Sequence, residues 1–293
     1  MTSGESPRRT VVVTGAGGYV GRHVVAAAID LGYDVRAVVR TARADDVDPR
    51  ATILQADVLS PEFDITAIAS PSEVAAVIHL AWQDGFVHNA RSHIESVSAH
   101  FRFLAGLVDA GIVRIAALGT MHEVGYWEGA ITSTTPTNPV TLYGIAKDAL
   151  RRSLFAALED RAELLWMRAF YIVGDDRRSR SIFGKILDAS DRGDRSFPFT
   201  TGRTLYDFID VDELGRQIAL ASTADGLVGV INTSSGVPES LADRVERFIV
   251  ENGVDISLQY GAFPDRPYDS PGVWGDASRI KALIAASPFA KET

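Results

Sequence analysis

The stretch Thr10–Gly21, TVVVTGAGGYVG, constrains this chain more than any other segment. Its first five residues are a near-continuous β-branched run, the pattern of a strand buried on both faces. Residues 21–31 follow with helical spacing, and Gly32 stands where a helix C-terminal glycine would. Gly15, Gly18 and Gly21 therefore sit at a strand-to-helix junction. There they permit a tight turn, a close backbone approach to a pyrophosphate and packing of the helix on the sheet. The helix N-terminus would offer free N–H groups and a partial positive charge to the phosphates.

Short apolar runs keep alternating with helical patterns after that junction. Asp34–Val39, Thr52–Gln55, Val74–Leu80 and Val113–Leu118 read as strands. Ser92–Ala110 reads as a helix with Val97, Phe101, Leu104, Leu107 and Val108 on one side. Leu142–Glu159 reads as a long helix, and Ala162–Ile172 contains a sixth strand. This alternation predicts an α/β fold, a Rossmann-type doubly wound parallel sheet. Beyond Gly174 the regularity falls, with helices expected at Ile182–Ala189 and Leu241–Glu251, a strand at Val230–Thr233 and a loop at Pro264–Gly275. The expected organisation is a flexible tail (1–9) and a dinucleotide-binding domain (10–174, with contributions from about 204–233). A smaller interleaved C-terminal cap (175–203 and 234–293) would bind substrate.

Composition excludes several functions. A net charge of -9 and a pI near 5.2 argue against a nucleic-acid partner, which usually needs a basic face. With no cysteine, disulfides, thiolate metal sites and cysteine nucleophiles are ruled out, and a reducing cytoplasm is the expected location. No apolar run approaches the roughly 18–20 residues of a membrane span, so no membrane partner is expected. His88, His93 and His100 have intervals that make no helical i,i+4 ligand pair, so no metal is expected.

Cofactor choice is read at the end of the second strand, about 20 residues past the glycines, where NAD sites usually carry an acid. This chain has Val38-Val39-Arg40-Thr41-Ala42-Arg43 instead. Arginine suits a 2′-phosphate, so Arg40, with Arg22 and Arg36 as helpers, favours NADP(H) over NAD(H). A solvated arginine at a strand end is the alternative reading.

Leu142-Tyr143-Gly144-Ile145-Ala146-Lys147 places a tyrosine and a lysine one helical turn apart. A nearby ammonium lowers a phenol's pKa, which would let Tyr143 give or take a proton at a carbonyl oxygen during hydride transfer. A hydroxyl from the end of the fifth strand should complete the site, and Thr120 follows Val113–Leu118 directly. Trp82 and the aromatic residues after the fifth strand would wall a sugar or base pocket, or simply pack.

At these residues the chain resembles an extended short-chain dehydrogenase/reductase, the sugar-nucleotide branch of the NAD-dependent epimerase/dehydratase family. The matching segments are TGAGGYVG, Asp57-Val58, His79-Leu80-Ala81, YGIAK, RAFYIVG, DFIDVDEL, NTSSG and GDASRIK. The resemblance implies that Tyr19, Val20, Leu80 and Ala81 line the cofactor, and that Asp57 and Val58 flank its adenine. It further implies that Phe170 and Ile172 lie near the nicotinamide, and that Lys147 holds the nicotinamide ribose beside the acid/base Tyr143. The later third would bind a nucleotide-diphosphate sugar or related carbonyl compound, and a homodimer through two helices is an assembly the resemblance allows.

Three departures bear on substrate. The family's usual Ser/Thr falls on Met121, which makes Thr120 an offset substitute. Tyr171 and Ser96 stand where asparagines are frequent. His122-Glu123 occupies the place of an acid and base used by dehydratases, or else forms a structural pair. The leading expectation is reduction of a C4 keto group on a nucleotide-linked sugar. An epimerase or dehydratase with retained NAD is the rival, and a non-catalytic dinucleotide sensor stands third.

Overall fold

Three successive valines demand cover on both sides, and in the computed structural model Thr10–Thr14 forms β1 with Val11, Val12 and Val13 fully buried. The structure describes residues 9–41, 47–68, 70–174, 177, 181–264 and 270–287, so most of the expected N-terminal tail lies outside it. From β1 the chain runs through α1 (Gly21–Asp30), β2 (Asp34–Val39), β3 (Thr52–Gln55), β4 (Val74–His79), α2 (Ser92–Asp109) and β5 (Arg114–Thr120). Next come β6 (Gly129–Ile131), α3 (Leu142–Leu158), β7 (Glu163–Ala169) and β8 (Tyr171–Val173). The remainder holds α4 (Ile182–Asp191), β9 (Ser196–Pro198), β10 (Leu205–Asp210), α5 (Val211–Thr223) and β11 (Gly229–Thr233). It ends with β12 (Pro238–Ser240), α6 (Leu241–Glu251), β13 (Ser257–Gln259), β14 (Gly272–Gly275) and α7 (Ser278–Ala285).

Seven parallel strands form one sheet in the order β3-β2-β1-β4-β5-β7-β11. The fold is therefore a Rossmann-type α/β sheet. One face is sealed by Val24, Val25, Leu214, Ile218 and Ile280 from α1, α5 and α7. Phe103, Leu104, Leu107, Leu150 and Leu154 from α2 and α3 seal the other. Strand order reverses between β1 and β4, the switch point at whose carboxyl side open α/β sheets bind ligands.

A second, mixed sheet, β12-β10-β14-β6 with β8 beside β10, stands over that end. Behind it Phe183, Ile186, Val245 and Phe248 join α4 to α6. The elements of this sheet, and the helix α5, went unread in the sequence. The three-residue strands β6, β8 and β12 carry no periodicity, and β6 finds its partner Val273–Gly275 more than a hundred residues away. β5 also runs two residues past Leu118, because Gly119 and Thr120 pair with Arg168 and Ala169. Among the described residues no helix is long and apolar enough to cross a membrane.

Candidate active site

The turn from β1 into α1 is closed by its glycines. Gly15 has φ of +71°, and a Cβ there would lie 2.7 Å from the backbone N of Ala81. A Cβ on Gly21 would meet the Gly15 carbonyl oxygen at 2.1 Å. α1 begins at Val20 with no side-chain cap and no acid in its first turn. With Gly18, Tyr19, Val20 and Gly21 lining the cleft, this helix end fits a pyrophosphate.

That turn opens into a cleft of about 1710 Å³. Single ligand pockets run to roughly 1,000 Å³, so this one has room for a dinucleotide and a substrate together. Gly15, Gly18, Tyr19, Val20 and Gly21 form its floor, and Arg40, Asp57 and Val58 one end. Leu80, Ala81 and Trp82 follow β4, while Phe170, Tyr171 and Ile172 follow β7. Thr120, His122 and Tyr143 meet at the middle. Tyr206 and Phe208, unremarked in the sequence, complete the wall, and their alternation along β10 was the available signal. Of the proposed arginine helpers, Arg22 stacks 5.9 Å over the Tyr19 ring. Arg36 is a correction, since its guanidinium donates to the Ala67 and Ile68 carbonyls instead of reaching the cleft. Arg43 lies outside the described residues.

The groups at the middle of the cleft are held by backbone contacts. Thr141 caps α3 by accepting from Gly144 N, and Tyr143 N donates to His88 O at 2.8 Å. The Thr120 hydroxyl neighbours the Tyr143 phenol, and Thr120 Oγ1 accepts from His122 N at 3.3 Å. Thr120, with Met121 beside it in the apolar cluster around Val124 and Phe170, thus supplies the hydroxyl next to Tyr143. Burial raises the Tyr143 pKa above that of an ordinary phenol, the Thr120 hydroxyl lowers it, and the Glu123 charge raises it.

Lys147 lies one helical turn beyond Tyr143 on α3. Its Nζ donates to Leu118 O at 2.6 Å and sits 3.8 Å over the Trp82 ring. Burial pulls its own pKa down to about 7, against the opposing pull of Glu123.

Glu123 stands apart from the cleft. It is 0% exposed and does not line the cleft, because its carboxylate accepts from Thr120 N and Trp166 Nε1, each at 2.8 Å, and from Arg168 Nε at 3.3 Å. Burial raises its pKa while the Arg168 charge opposes that rise. The carboxylate is a structural tie between the turn after β5 and strand β7. His122, by contrast, faces the cleft 4.4 Å from the His88 ring, which stacks at 5.6 Å and 13° on Tyr143. Burial holds both imidazoles below their ordinary pKa, His122 at about 4. Among the described residues no group of three or more His, Cys, Asp or Glu is placed to hold a metal.

A glycine-floored cleft at the switch point, with a buried Thr/Tyr pair at its centre, defines a nicotinamide-dinucleotide oxidoreductase. The chain belongs to the NAD-dependent epimerase/dehydratase family, whose model matches residues 11–232. A dTDP-6-deoxy-L-talose 4-dehydrogenase (NAD(+)) of Aggregatibacter actinomycetemcomitans is 41% identical over 273 residues, covering 90% of this chain and 98% of that one. The dTDP-6-deoxy-L-talose 4-dehydrogenase (NAD(P)(+)) of Kitasatospora kifunensis is 24% identical, covering 90% and 86%. In fold the chain is similar to a UDP-glucose 4-epimerase from Stenotrophomonas maltophila solved with NAD and formylated UDP-arabinopyranose. That match has a TM-score of 0.82 at 18% identity and covers 95% and 93% of the two chains. This protein is an NAD(P)-dependent oxidoreductase of the sugar-nucleotide branch.

Proposed function

We propose that the chain interconverts the C4 ketone and C4 hydroxyl of a nucleotide-linked 6-deoxysugar, with a dTDP-sugar as the first substrate to try and reduction as the working direction. The observation that carries this reading is the 41% identity, over nearly all of both chains, to a dTDP-6-deoxy-L-talose 4-dehydrogenase. The glycine turn and the α1 N-terminus would hold the pyrophosphate, Asp57 and Val58 the adenine, and Leu80, Ala81, Phe170 and Ile172 the nicotinamide side. When bound, the dinucleotide supplies hydride to the carbonyl carbon or takes it back. Tyr143 gives its phenolic proton to the substrate oxygen in reduction and recovers it in the reverse direction. Thr120, whose Oγ1 is held by His122 N, would hydrogen-bond the same phenol and keep it aimed. Loss of NAD(P)H absorbance with dTDP-linked 4-ketosugars checks the activity; no turnover across a panel of nucleotide-linked 4-ketosugars would overturn it. The dehydratase alternative loses its base, since Glu123 is engaged in the buried tie.

NADP(H) over NAD(H) belongs to the same proposal. It is supported by Arg40, exposed at the cleft rim after β2, with no carboxylate at that end of β2 among the described residues. Charge-assisted hydrogen bonds contribute about 1.5–3 kcal/mol. Arg40→Asp is therefore expected to lower kcat/KM for NADPH roughly 10- to 100-fold and leave NADH nearly unchanged. A wild-type preference for NADH would reverse the reading.

At the glycine turn, Gly15→Ala must place a Cβ against Ala81 N in a left-handed backbone. Strain of that kind is about 1–3 kcal/mol, so NAD(P)H affinity measured by fluorescence titration should fall roughly tenfold or more. The proposal extends to residence in the cytoplasm and to a homodimer across α2 and α3, which present the exposed Ile94 and Ile145.

A further inference from the structure

Lys147 is 4% exposed, and a buried ammonium needs partners for its charge. One N–H goes to Leu118 O. The other described contact is the indole of Trp82, whose centroid lies 3.8 Å from Nζ, close enough for the ring quadrupole to attract the cation. The indole is itself pinned. Its N–H donates to His93 Nδ1 at 3.0 Å, which leaves the His93 proton on Nε2, 3.0 Å from Val87 O. The His100 ring stacks on it at 4.4 Å and 15°. His100 is tied in turn to His79 at 2.9 Å, and His79 to Thr14 at 2.8 Å. The plate under the ammonium is thus braced by α2 and, through His79, by β1 and β4.

We propose that Trp82 is a positioning residue, a rigid indole plate backed by His93 and His100 that seats Lys147 and holds it charged beside Tyr143. This rests on Lys147 belonging to the reaction centre. The titratable groups facing Lys147 come from each element around it. Glu123, from the turn after β5, favours its charge. His79 on β4 and His100 on α2 stay neutral, each with its protonation suppressed by burial first and by Lys147 as well. Tyr143, on its own helix, is protonated. Neither imidazole attracts the ammonium, so the indole face, Leu118 O and Glu123 oppose its desolvation. Burial has already brought Lys147 to about 7, and a modest loss of attraction then removes its charge at neutral pH.

The test is NMR of the full-length protein labelled with 13C-lysine. The chain has four lysines, and Lys147→Met assigns the signal. In the wild type the Lys147 Hε protons should be shifted upfield by the indole ring current and titrate with a midpoint near 7. Trp82→Leu should abolish the upfield shift and lower the midpoint by about one pH unit. Trp82→Phe, which keeps a π-face but not the bond to His93, should fall between, and it decides the matter should Trp82→Leu fail to fold. An unshifted Lys147 signal in the wild type, or one midpoint shared by wild type and the folded variants, would overturn the proposal. No sugar is needed for any of these readings, so they stand apart from the substrate assignment, which NAD(P)H oxidation tests separately.

Discussion

Replacing Tyr143 with phenylalanine should lower turnover of a nucleotide-linked 4-ketosugar by about 10²- to 10⁴-fold, the range typical of a lost general acid. NAD(P)H binding should stay within a few-fold, because the change removes one oxygen from a ring that remains packed against His88 and Trp82. The pH dependence has a definite sign. Burial raises the phenol's pKa, so the proton needed for reduction is retained through and beyond the ordinary phenol range. Reduction should therefore show no alkaline limb from Tyr143 below about pH 10. Lys147, lowered to about 7, loses its charge as pH rises through neutrality, and a limb between roughly pH 6 and 8 should vanish in Lys147→Met. Steady-state rates from pH 5.5 to 10, with dinucleotide affinity measured alongside, check both statements. Residual activity above one tenth in Tyr143→Phe would remove the phenol from the chemistry.

The parts legible in the sequence are those in which one physical demand admits few residues. TVVVT had to be a doubly covered strand, and the residues of the cofactor loop and of YGIAK meet in one cleft or directly behind it because short local spacing carries them there. Thr120 was placed by the strand it ends. What stayed hidden depends on distant partners. Glu123 beside His122 looks like site chemistry in sequence, yet Trp166 and Arg168, 43 and 45 residues further on, claim its oxygens. The spacing of Lys147 behind Tyr143 is local, but the indole under its ammonium is Trp82, which comes from the loop after β4. Cleft-wall residues Tyr206 and Phe208 arrive on a strand whose neighbours are β8, β12 and β14, pairings that no local period reports.

Glu123→Gln is expected to damage the fold far more than the chemistry. The substitution keeps an oxygen for Thr120 N and Trp166 Nε1 but withdraws the charge opposite Arg168, which is 1% exposed and has Thr132 O as its other described acceptor. Arg151, whose Nε lies 3.6 Å from the carboxylate, loses the same counter-charge. Breaking one side of a buried ion pair destabilises by about 3–5 kcal/mol, because the remaining charge stays desolvated. At roughly 2–4 °C per kcal/mol for chains approaching this size, thermal unfolding should drop by on the order of 10 °C. The Thr120 backbone N–H would keep its side-chain acceptor, so kcat measured well below the new transition should stay within a few-fold of wild type. Paired melting curves and rates separate the two roles of a buried carboxylate. A kcat lowered by about 10² or more with an unchanged melting temperature would return Glu123 to the reaction as a base. A large thermal loss with intact turnover fixes it as the tie that holds the end of β5, and with it Thr120, against β7.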